Sequence, residues 1–133
     1  MEKNRETSFR FLSIEAPEVI GEVGTLFWHI LRCDELPAGV DYYVVDTAAE
    51  YGTMQAAHWL NLVLGLPDTE VTDLTISTIQ RMPVRDVITS LELYRRRRAR
   101  VSPRWIINHS IFTNRYNRAR RRAFSLFAEL ATT

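Results

Sequence analysis

The chain has 133 residues, of which 46% are hydrophobic and 25% are charged, a composition typical of a single soluble globular domain. No window approaches the roughly 18 uninterrupted apolar residues that a membrane-spanning helix needs, and a single cysteine, Cys33, excludes an internal disulfide. The net charge of +1 hides an asymmetry, because residues 1–84 carry 5 Lys/Arg against 13 Asp/Glu whereas residues 85–133 carry 12 Arg against 3 Asp/Glu.

The polar N-terminal stretch, MEKNRETSFRFLSIEAPE, predicts neither a signal peptide nor a transit peptide, so we expect a chain made in the cytoplasm. Residues 1–15 are predicted to form an extended arm, and residues 16–133 one helical domain. Ala16-Pro17 can start a first helix, whose apolar stripe continues to Cys33. If part of that stripe has no neighbour within the chain, a homodimer is the expected way to cover it.

Two helices with clear start and stop signals follow at the centre of the chain. The first is predicted from Val40 to Glu50 and is apolar almost all round, which is typical of a helix buried in the middle of a bundle. Gly52 is placed to end it, and Thr53 is the predicted N-cap of a second helix, Met54 to Leu64. We expect the rest of the chain to pack around this pair.

The remaining segments are predicted as three helices and one undecided stretch, so the predicted fold class is all-α, a single bundle of about six helices. The predicted elements are a helix from Leu74 to about Met82 capped by Thr72 or Asp73, a helix from Pro83 to about Ala99, a strand, helical turn or packed loop at Arg104–Phe112, and a final helix from about Asn114 to Leu130. The core side chains expected from these helices are Leu74, Ile76, Ile79, Ile88, Leu91, Tyr94, Tyr116, Ala119, Ala123, Phe127 and Leu130.

Asp46 and Glu50 are the polar exceptions in the otherwise apolar first central helix. Their i,i+4 spacing places both carboxylates on one helix face. Such a pair can perform general acid–base chemistry if burial raises one pKa. The alternative, which we favour, is a structural pair in which an arginine answers the buried charge.

The histidines and the cysteine do not have metal-binding spacing, so neither a metal site nor a cofactor is predicted. His29, His58 and His109 are far apart in the sequence, and Cys33 follows His29 by four residues with no second pair of ligands. A Cys33–His29 nucleophile pair fits one helix face, but no third group to orient the histidine is evident. We therefore interpret these residues as part of a packed helix interface.

The basic half of the chain contains two arginine runs. The runs are YRRRRAR, with Arg95, Arg96, Arg97 and Arg98, and NRYNRARRRAF, with Arg120, Arg121 and Arg122. One interpretation is a basic patch for an anionic polymer, with nearby aromatic rings that stack on sugars or bases. The other is a solvated helix face that pairs with the acidic first part of the chain.

Taken in order, these segments resemble the C-terminal, peptidoglycan-binding part of glycoside hydrolase family 108, the phage-type and secretion-activator muramidases. The resemblance extends from Phe27 to Ala128 and implies a lysozyme-like helical subdomain. It is carried by Trp28, CDELPAGVDYYVVDTAAEYG, the Ala56-Ala57-x-Trp59-Leu60-Asn61 segment with LGL, and DTEVTDLT, and more weakly by YRRRRA and IFTNRYNR.

The departures from the family pattern concern its catalytic and ligand-facing parts. The family has its catalytic glutamate in a Glu-Gly-Gly motif well before the position of Trp28, but only 27 residues precede Trp28 here, and none of Glu15, Glu18 and Glu22 lies in such a motif. The resemblance therefore implies that the catalytic part is missing. The glycines of the family's Asp-Gly-x-x-Gly loop are replaced by Thr69 and Thr72, and its later Gly-Trp reads Arg115-Tyr116.

These observations lead to three functional hypotheses. The first is a non-catalytic, degenerate muramidase-like domain that binds peptidoglycan or a related anionic polymer. The second is a phage accessory protein, such as a defence inhibitor, that binds host protein or nucleic acid through its Arg-rich C-terminal part. The third is an active muramidase that uses Glu50 or Asp46 as a relocated acid, although glycosidases need two carboxylates flanking the bond.

The first hypothesis assigns candidate ligand-binding residues and a location. Stem-peptide carboxylates are expected to pair with guanidinium groups, and sugar rings to stack on aromatic side chains. The resemblance further implies a phage or prophage origin, with the protein in the virion or released to the cell wall. The candidate ligand-binding residues are Tyr51, Trp105, Arg115, Tyr116 and Arg118.

Overall fold

A computed structural model describes residues 23–131 of the chain, and these residues form six α-helices and no strand. The all-α prediction is therefore confirmed. The predicted arm, residues 1–15, and the start of the first helix lie outside the described residues. The helices are α1 (Thr25–Ile30), α2 (Val40–Tyr51), α3 (Thr53–Val63), α4 (Asp73–Ile79), α5 (Val84–Arg100) and α6 (Trp105–Ala131), with a 3-10 turn at Cys33–Glu35.

α2 is the central helix, as its sequence predicted. Val40, Tyr43 and Val44 are fully buried among side chains of the surrounding helices. Apolar residues on most of the circumference of a short helix favour this position because burying them removes about 1.5–3 kcal/mol of unfavourable hydration per large side chain. α3 packs beside α2, and α5 and α6 complete the surroundings of α2.

The predicted boundaries of α2 and α3 are correct to about one residue, but one predicted cap is wrong. Gly52 has a positive φ of 91° and occupies both the end of α2 and the N-cap position of α3. Thr53 is therefore the first residue of α3, and its side chain does not cap the helix. The single glycine between the two helices leaves no room for a separate capping residue.

α1 ends earlier than the sequence predicted. Its last residue is Ile30 rather than Cys33, because Arg32 adopts the left-handed conformation, with φ of 51°, and turns the chain. The Arg32 guanidinium then lies 2.7 Å from Glu35 and 2.9 Å from Asp73, and so connects this turn to the start of α4. Cys33 is buried in the turn.

The loop between α3 and α4 is held by the buried amide of Asn61. Its Nδ2 donates to the carbonyls of Asp68 (3.0 Å) and Glu70 (2.8 Å), and its Oδ1 accepts from the Thr75 hydroxyl (2.7 Å). Thr72 caps α4 as predicted, in a reciprocal capping box with Thr75. Every polar atom of the Asn61 side chain thus contributes to the path of the loop.

This capping arrangement explains why one predicted core residue of α4 is wrong. Thr75 and Ile79 face the interior, so Leu74 points to solvent and is 55% exposed. The sequence pattern predicts Leu74, Ile76 and Ile79 as the buried side chains of this helix, and Leu74 is the one that is exposed. The polar network around Asn61 determines the inner face of this short helix instead.

α5 and α6 form an antiparallel hairpin in which α6 begins at Trp105, nine residues before the predicted start. The undecided segment, Arg104–Phe112, is therefore helical, with a kink at Asn108, where φ is −115°. Leu126 is the buried residue near the end of α6, whereas the predicted Phe127 is only half-buried. No helix within residues 23–131 has the length and apolar character needed to cross a membrane.

Gly39 allows α2 to approach α6 closely. Its φ is +96°, and a Cβ at this position would lie 2.5 Å from the carbonyl oxygen of Ala123 and 3.2 Å from the Cβ of Phe127. Gly65 also has a positive φ, of +80°, but a Cβ there would meet nothing within 4 Å. Both glycines therefore have a backbone conformation that would be strained for a residue with a side chain, but only at Gly39 would that side chain also overlap with neighbouring atoms.

We expect Gly39→Ala to lower the free energy of unfolding by about 2–4 kcal/mol, because it combines backbone strain with an overlap against backbone atoms. The matched control, Gly65→Ala, adds only the strain and should cost about 1 kcal/mol. Urea unfolding followed by circular dichroism measures both. Equal losses for the two variants would show that α2 and α6 do not meet as closely as described.

Candidate functional site

The most unusual feature of the core is the fully buried guanidinium of Arg95. Its Nη1 donates to Asp46 Oδ2 and its Nη2 donates to Glu50 Oε1, both at 2.9 Å. The Arg95 side chain is 0% exposed, and those of Asp46 and Glu50 are 18% and 14% exposed. The i,i+4 carboxylates of α2 are therefore bridged by one cation from α5.

Aromatic rings surround the same guanidinium. Its central carbon lies 5.2 Å from the ring centroid of Tyr43 and 4.5 Å from that of Tyr116, distances at which a cation is attracted to the ring face. Burial alone would lower the pKa of Arg95, but the charge of Asp46, the Tyr43 group and the Glu50 carboxylate raise its pKa above the ordinary value. Arg95 therefore remains a cation inside the bundle.

Tyr116 completes the environment of Glu50. The Tyr116 hydroxyl lies 3.1 Å from each carboxylate oxygen of Glu50 and donates to that group, and it lies 3.0 Å from the Tyr51 hydroxyl. Burial is the main cause that raises the pKa of Tyr116, with the Tyr51 hydroxyl and the Glu50 charge adding to it. The phenol therefore remains a neutral donor. Because Tyr116 is fully buried, its predicted role in stacking on a sugar is wrong.

Glu92 is a buried acid that joins α5 to α6, and it is absent from the residues predicted from the sequence. Its oxygens accept from Arg120 Nη1 at 2.8 and 2.6 Å and from Arg96 Nε at 2.7 Å. Asn117 Oδ1 accepts from Arg96 (2.7 Å) and from Arg120 (3.1 Å). The available signal was the i,i+4 spacing of Glu92 and Arg96 within a basic helix.

The predicted basic patch is therefore divided between the interior and the surface. Including Arg95 in an outward-facing patch is wrong, and Arg96 and Arg120 are bound to Glu92. Arg97 lies over the Tyr94 ring at 5.9 Å and Arg98 over the Tyr51 ring at 5.8 Å. Of the predicted set, the exposed arginines are Arg97, Arg98 and Arg121, and Arg122 is half-buried.

The aromatic candidates lie along one row that extends from the core into α6. Tyr51 packs edge-on against Trp59, with ring centroids 5.2 Å apart. Trp105 stacks on Phe112 at 6.0 Å, and Phe112 lies 6.3 Å from Tyr116. Trp105 and Tyr51 are both half-buried, so each retains some surface for a ligand.

The two predicted ligand-binding arginines lie on α6 but differ in their contacts. Arg115 Nη2 is 3.9 Å from Asp46 Oδ1, so Arg115 approaches the outer edge of the buried ion pair. Arg118 is exposed, and no carboxylate within residues 23–131 pairs with it. Both guanidinium groups reach solvent and can meet an anionic ligand.

This geometry favours a structural role for Asp46 and Glu50. A glycosidase uses one carboxyl group as an acid and a second as a base or nucleophile, on the two sides of the bond. Here both carboxylates face the same guanidinium, and both oxygens of Glu50 lie within hydrogen-bonding distance of Tyr116. Neither group is free to approach a substrate without losing its buried partner.

The histidines and Cys33 are dispersed in the described part of the chain, where no group of three or more His, Cys, Asp or Glu side chains could hold a metal ion. His29 is exposed, whereas Cys33 is buried with its Sγ 3.7 Å from the carbonyl oxygen of Asp41. Burial raises the pKa of the Cys33 thiol, and the nearby charges of Asp41 and Asp34 raise it further. These properties disfavour a nucleophilic thiolate.

Comparison with known proteins supports the fold. No known family model matches the chain, and no curated protein matches it significantly. Among solved structures, SagA of Brucella abortus is similar, with a TM-score of 0.72 and 26% sequence identity over 76% of this chain. The similar region is 59% of the SagA chain, so this chain matches less than two thirds of that protein. The similarity supports a lysozyme-like helical scaffold.

We expect Arg95→Met to lower the free energy of unfolding by about 3–5 kcal/mol, because it leaves two carboxylates without their buried cation. Arg97→Met is the matched control and should change the stability by less than about 0.5 kcal/mol. A triple variant that adds Asp46→Asn and Glu50→Gln should recover part of the loss, because the uncompensated charges are then absent. A loss for Arg95→Met as small as that of the control would contradict a central role for this ion pair.

We expect the native Cys33 thiol to react slowly with a disulfide reagent at mildly alkaline pH, because burial and a raised pKa both disfavour the thiolate. Denatured protein should react at the rate of a free cysteine. Absorbance of the released thiolate measures both rates, and Cys33→Ala provides the blank. Equal rates for native and denatured protein would show that the thiol is accessible.

Proposed function

We propose that this chain is a non-catalytic, muramidase-like domain that binds peptidoglycan or a related anionic polymer. The observation that carries the proposal is the similarity of its helical scaffold to SagA, combined with the engagement of both α2 carboxylates by Arg95. The scaffold supports a cell-wall ligand, and the ion pair argues against hydrolysis.

The residues that depart from the family pattern make structural contacts in this chain. Thr72, in place of a loop glycine, caps α4. Tyr116 donates to Glu50, and Arg115 lies near Asp46, although the family pattern has Gly-Trp there. Thr72, Arg115 and Tyr116 therefore make contacts within the bundle at positions where the family pattern has glycine or tryptophan. These contacts are consistent with a domain that does not hydrolyse glycan.

The proposed ligand surface consists of groups on α6 that remain accessible. Arg115 and Arg118 can form charge-assisted hydrogen bonds with the carboxylates of peptidoglycan stem peptides. Trp105 offers a partly exposed ring on which a sugar can stack. Tyr51 is a secondary candidate because its hydroxyl is already used by Tyr116. A phage or prophage origin and a wall-directed role belong to the same proposal.

A second candidate is a phage accessory protein that binds nucleic acid or host protein. It is favoured by one specific observation: residues 93–128 contain 11 arginines and no acidic residue. Exposed arginines in such a segment suit phosphate groups. The structure narrows this surface, since Arg95, Arg96 and Arg120 are occupied by internal carboxylates.

We expect the protein to co-sediment with purified sacculi, and the double variant Arg115→Gln/Arg118→Gln to bind about fivefold more weakly, as two exposed guanidinium–carboxylate pairs are worth about 1 kcal/mol together. The control Arg81→Gln/Arg85→Gln removes the same charge from exposed positions elsewhere and should bind as the wild type. Glu50→Gln should also bind if it remains folded, since the proposal assigns that carboxylate no contact with ligand.

Two results would overturn the proposal. Absence of co-sedimentation at physiological salt would remove peptidoglycan as the ligand. Release of soluble glycan fragments from sacculi by the wild type, but not by a folded Glu50→Gln protein, would instead support an active muramidase with a relocated acid.

A further inference from the structure

The end of the α5–α6 hairpin stands outside the core. No residue from Arg100 to Arg115 is buried, although Ala99 before this segment and Tyr116 after it are both buried. From Trp105 onward the segment is helical, with the kink at Asn108. The hairpin tip, defined here as residues 100–115, is therefore an ordered projection rather than part of the packed bundle.

The hairpin tip carries large apolar side chains that face water. Ile106 and Ile107 are 84% and 82% exposed, Ile111 is 65% exposed, and Val101 in the preceding turn is 73% exposed. Ile107 and Ile111 lie on the two sides of the kink at Asn108. Scattered exposed apolar residues are ordinary, but a cluster at the end of a projection indicates an interaction surface.

The charge around the hairpin tip has one sign. No acidic residue occurs from position 93 to position 128, and the carboxylates of Asp46, Glu50 and Glu92 are already occupied by Arg95, Arg96 and Arg120. The arginines that remain exposed have no carboxylate partner among residues 23–131. They are Arg97, Arg98, Arg100, Arg104, Arg118 and Arg121.

The exposed apolar side chains and the positive charge together indicate what kind of partner binds the hairpin tip. A second copy of the chain that paired tip to tip would bring two sets of unpaired arginines together, and the repulsion opposes a symmetric dimer. An exposed apolar tip that also carries Trp105, Arg100 and Arg104 has the composition of segments that lie in the surface of a bilayer. Each such arginine gains about 1 kcal/mol near an anionic leaflet.

We propose that the hairpin tip inserts shallowly into the surface of bilayers that contain anionic lipids. Ile106, Ile107 and Ile111 enter the boundary between headgroups and acyl chains, and the surrounding arginines contact the lipid phosphates. This interaction goes beyond the proposed binding of peptidoglycan and does not depend on it, because Ile106, Ile107 and Ile111 carry the insertion, whereas Trp105 and Arg118 are the groups common to both surfaces.

The test uses the full chain with vesicles of phosphatidylcholine alone and of phosphatidylcholine mixed with phosphatidylglycerol. The wild type should co-sediment with the mixed vesicles and not with the neutral ones. Ile106→Ser/Ile107→Ser should bind the mixed vesicles about tenfold more weakly, because the apolar contribution is lost while every charge is retained. The matched control, Met54→Ser/Leu74→Ser, changes two exposed apolar residues elsewhere and should bind as the wild type.

A tryptophan reporter separates insertion from electrostatic adsorption. The emission of Ile106→Trp should shift to shorter wavelength on addition of mixed vesicles and should be quenched by brominated acyl chains. Leu74→Trp, placed at an exposed position of α4, should show neither change. Circular dichroism spectra identical to that of the wild type establish that the surface variants are folded.

Three results would overturn the proposal. One is failure of the wild type to bind the mixed vesicles. Another is equal binding by Ile106→Ser/Ile107→Ser with no bromine quenching of Ile106→Trp, which would indicate adsorption through charge alone and favour a nucleic-acid ligand if duplex DNA displaces the protein. The third is a concentration-dependent blue shift of Ile106→Trp without lipid, which would show that a second copy covers the tip.

Discussion

The buried Arg95 and the two largely buried carboxylates that bind it connect the helices around α2. Arg95 of α5 binds Asp46 and Glu50 of α2, and Tyr116 of α6 reaches Glu50 from the other side. Two carboxylates against one guanidinium leave one excess negative charge, which the Tyr116 hydroxyl and the more distant Arg115 help to stabilise. This arrangement connects α2, α5 and α6, and burying such charges is costly unless each is paired.

The same ion pairing divides the arginines of residues 85–133 into those that bind internal carboxylates and those that remain exposed. Arg95, Arg96 and Arg120 pair with Asp46, Glu50 and Glu92, whereas Arg100 and Arg104 are exposed beside the apolar side chains of the hairpin tip. A net charge counted along the sequence cannot distinguish these groups. In the structure the carboxylates of Asp46 and Glu50 face Arg95, and this contact is the basis of the proposal that the domain binds glycan without hydrolysing it.

The helices of the centre were predictable because their signals are local. The all-round apolar pattern of Val40 to Glu50, the stop at Gly52 and the cap at Thr72 each depend on a few adjacent residues. The sequence also indicated that an arginine would answer Asp46. It could not show which of four consecutive arginines turns inward, because that choice depends on contacts with Tyr43 and Tyr116 on other helices. For the same reason the helical state of residues 105–112, whose burial pattern is weak, and the outward orientation of Leu74 were not evident.

The separation of the ion-pair partners along the chain has a consequence for synthesis on the ribosome. Asp46 and Glu50 precede Arg95 by 49 and 45 residues. When α2 emerges, its apolar surface favours early collapse, but its acids have no counter-ion until much of α5 has left the exit tunnel. We therefore expect the nascent chain to close around α2 late, so that a stalled or truncated product would expose the apolar side chains of this central helix to chaperones and proteases.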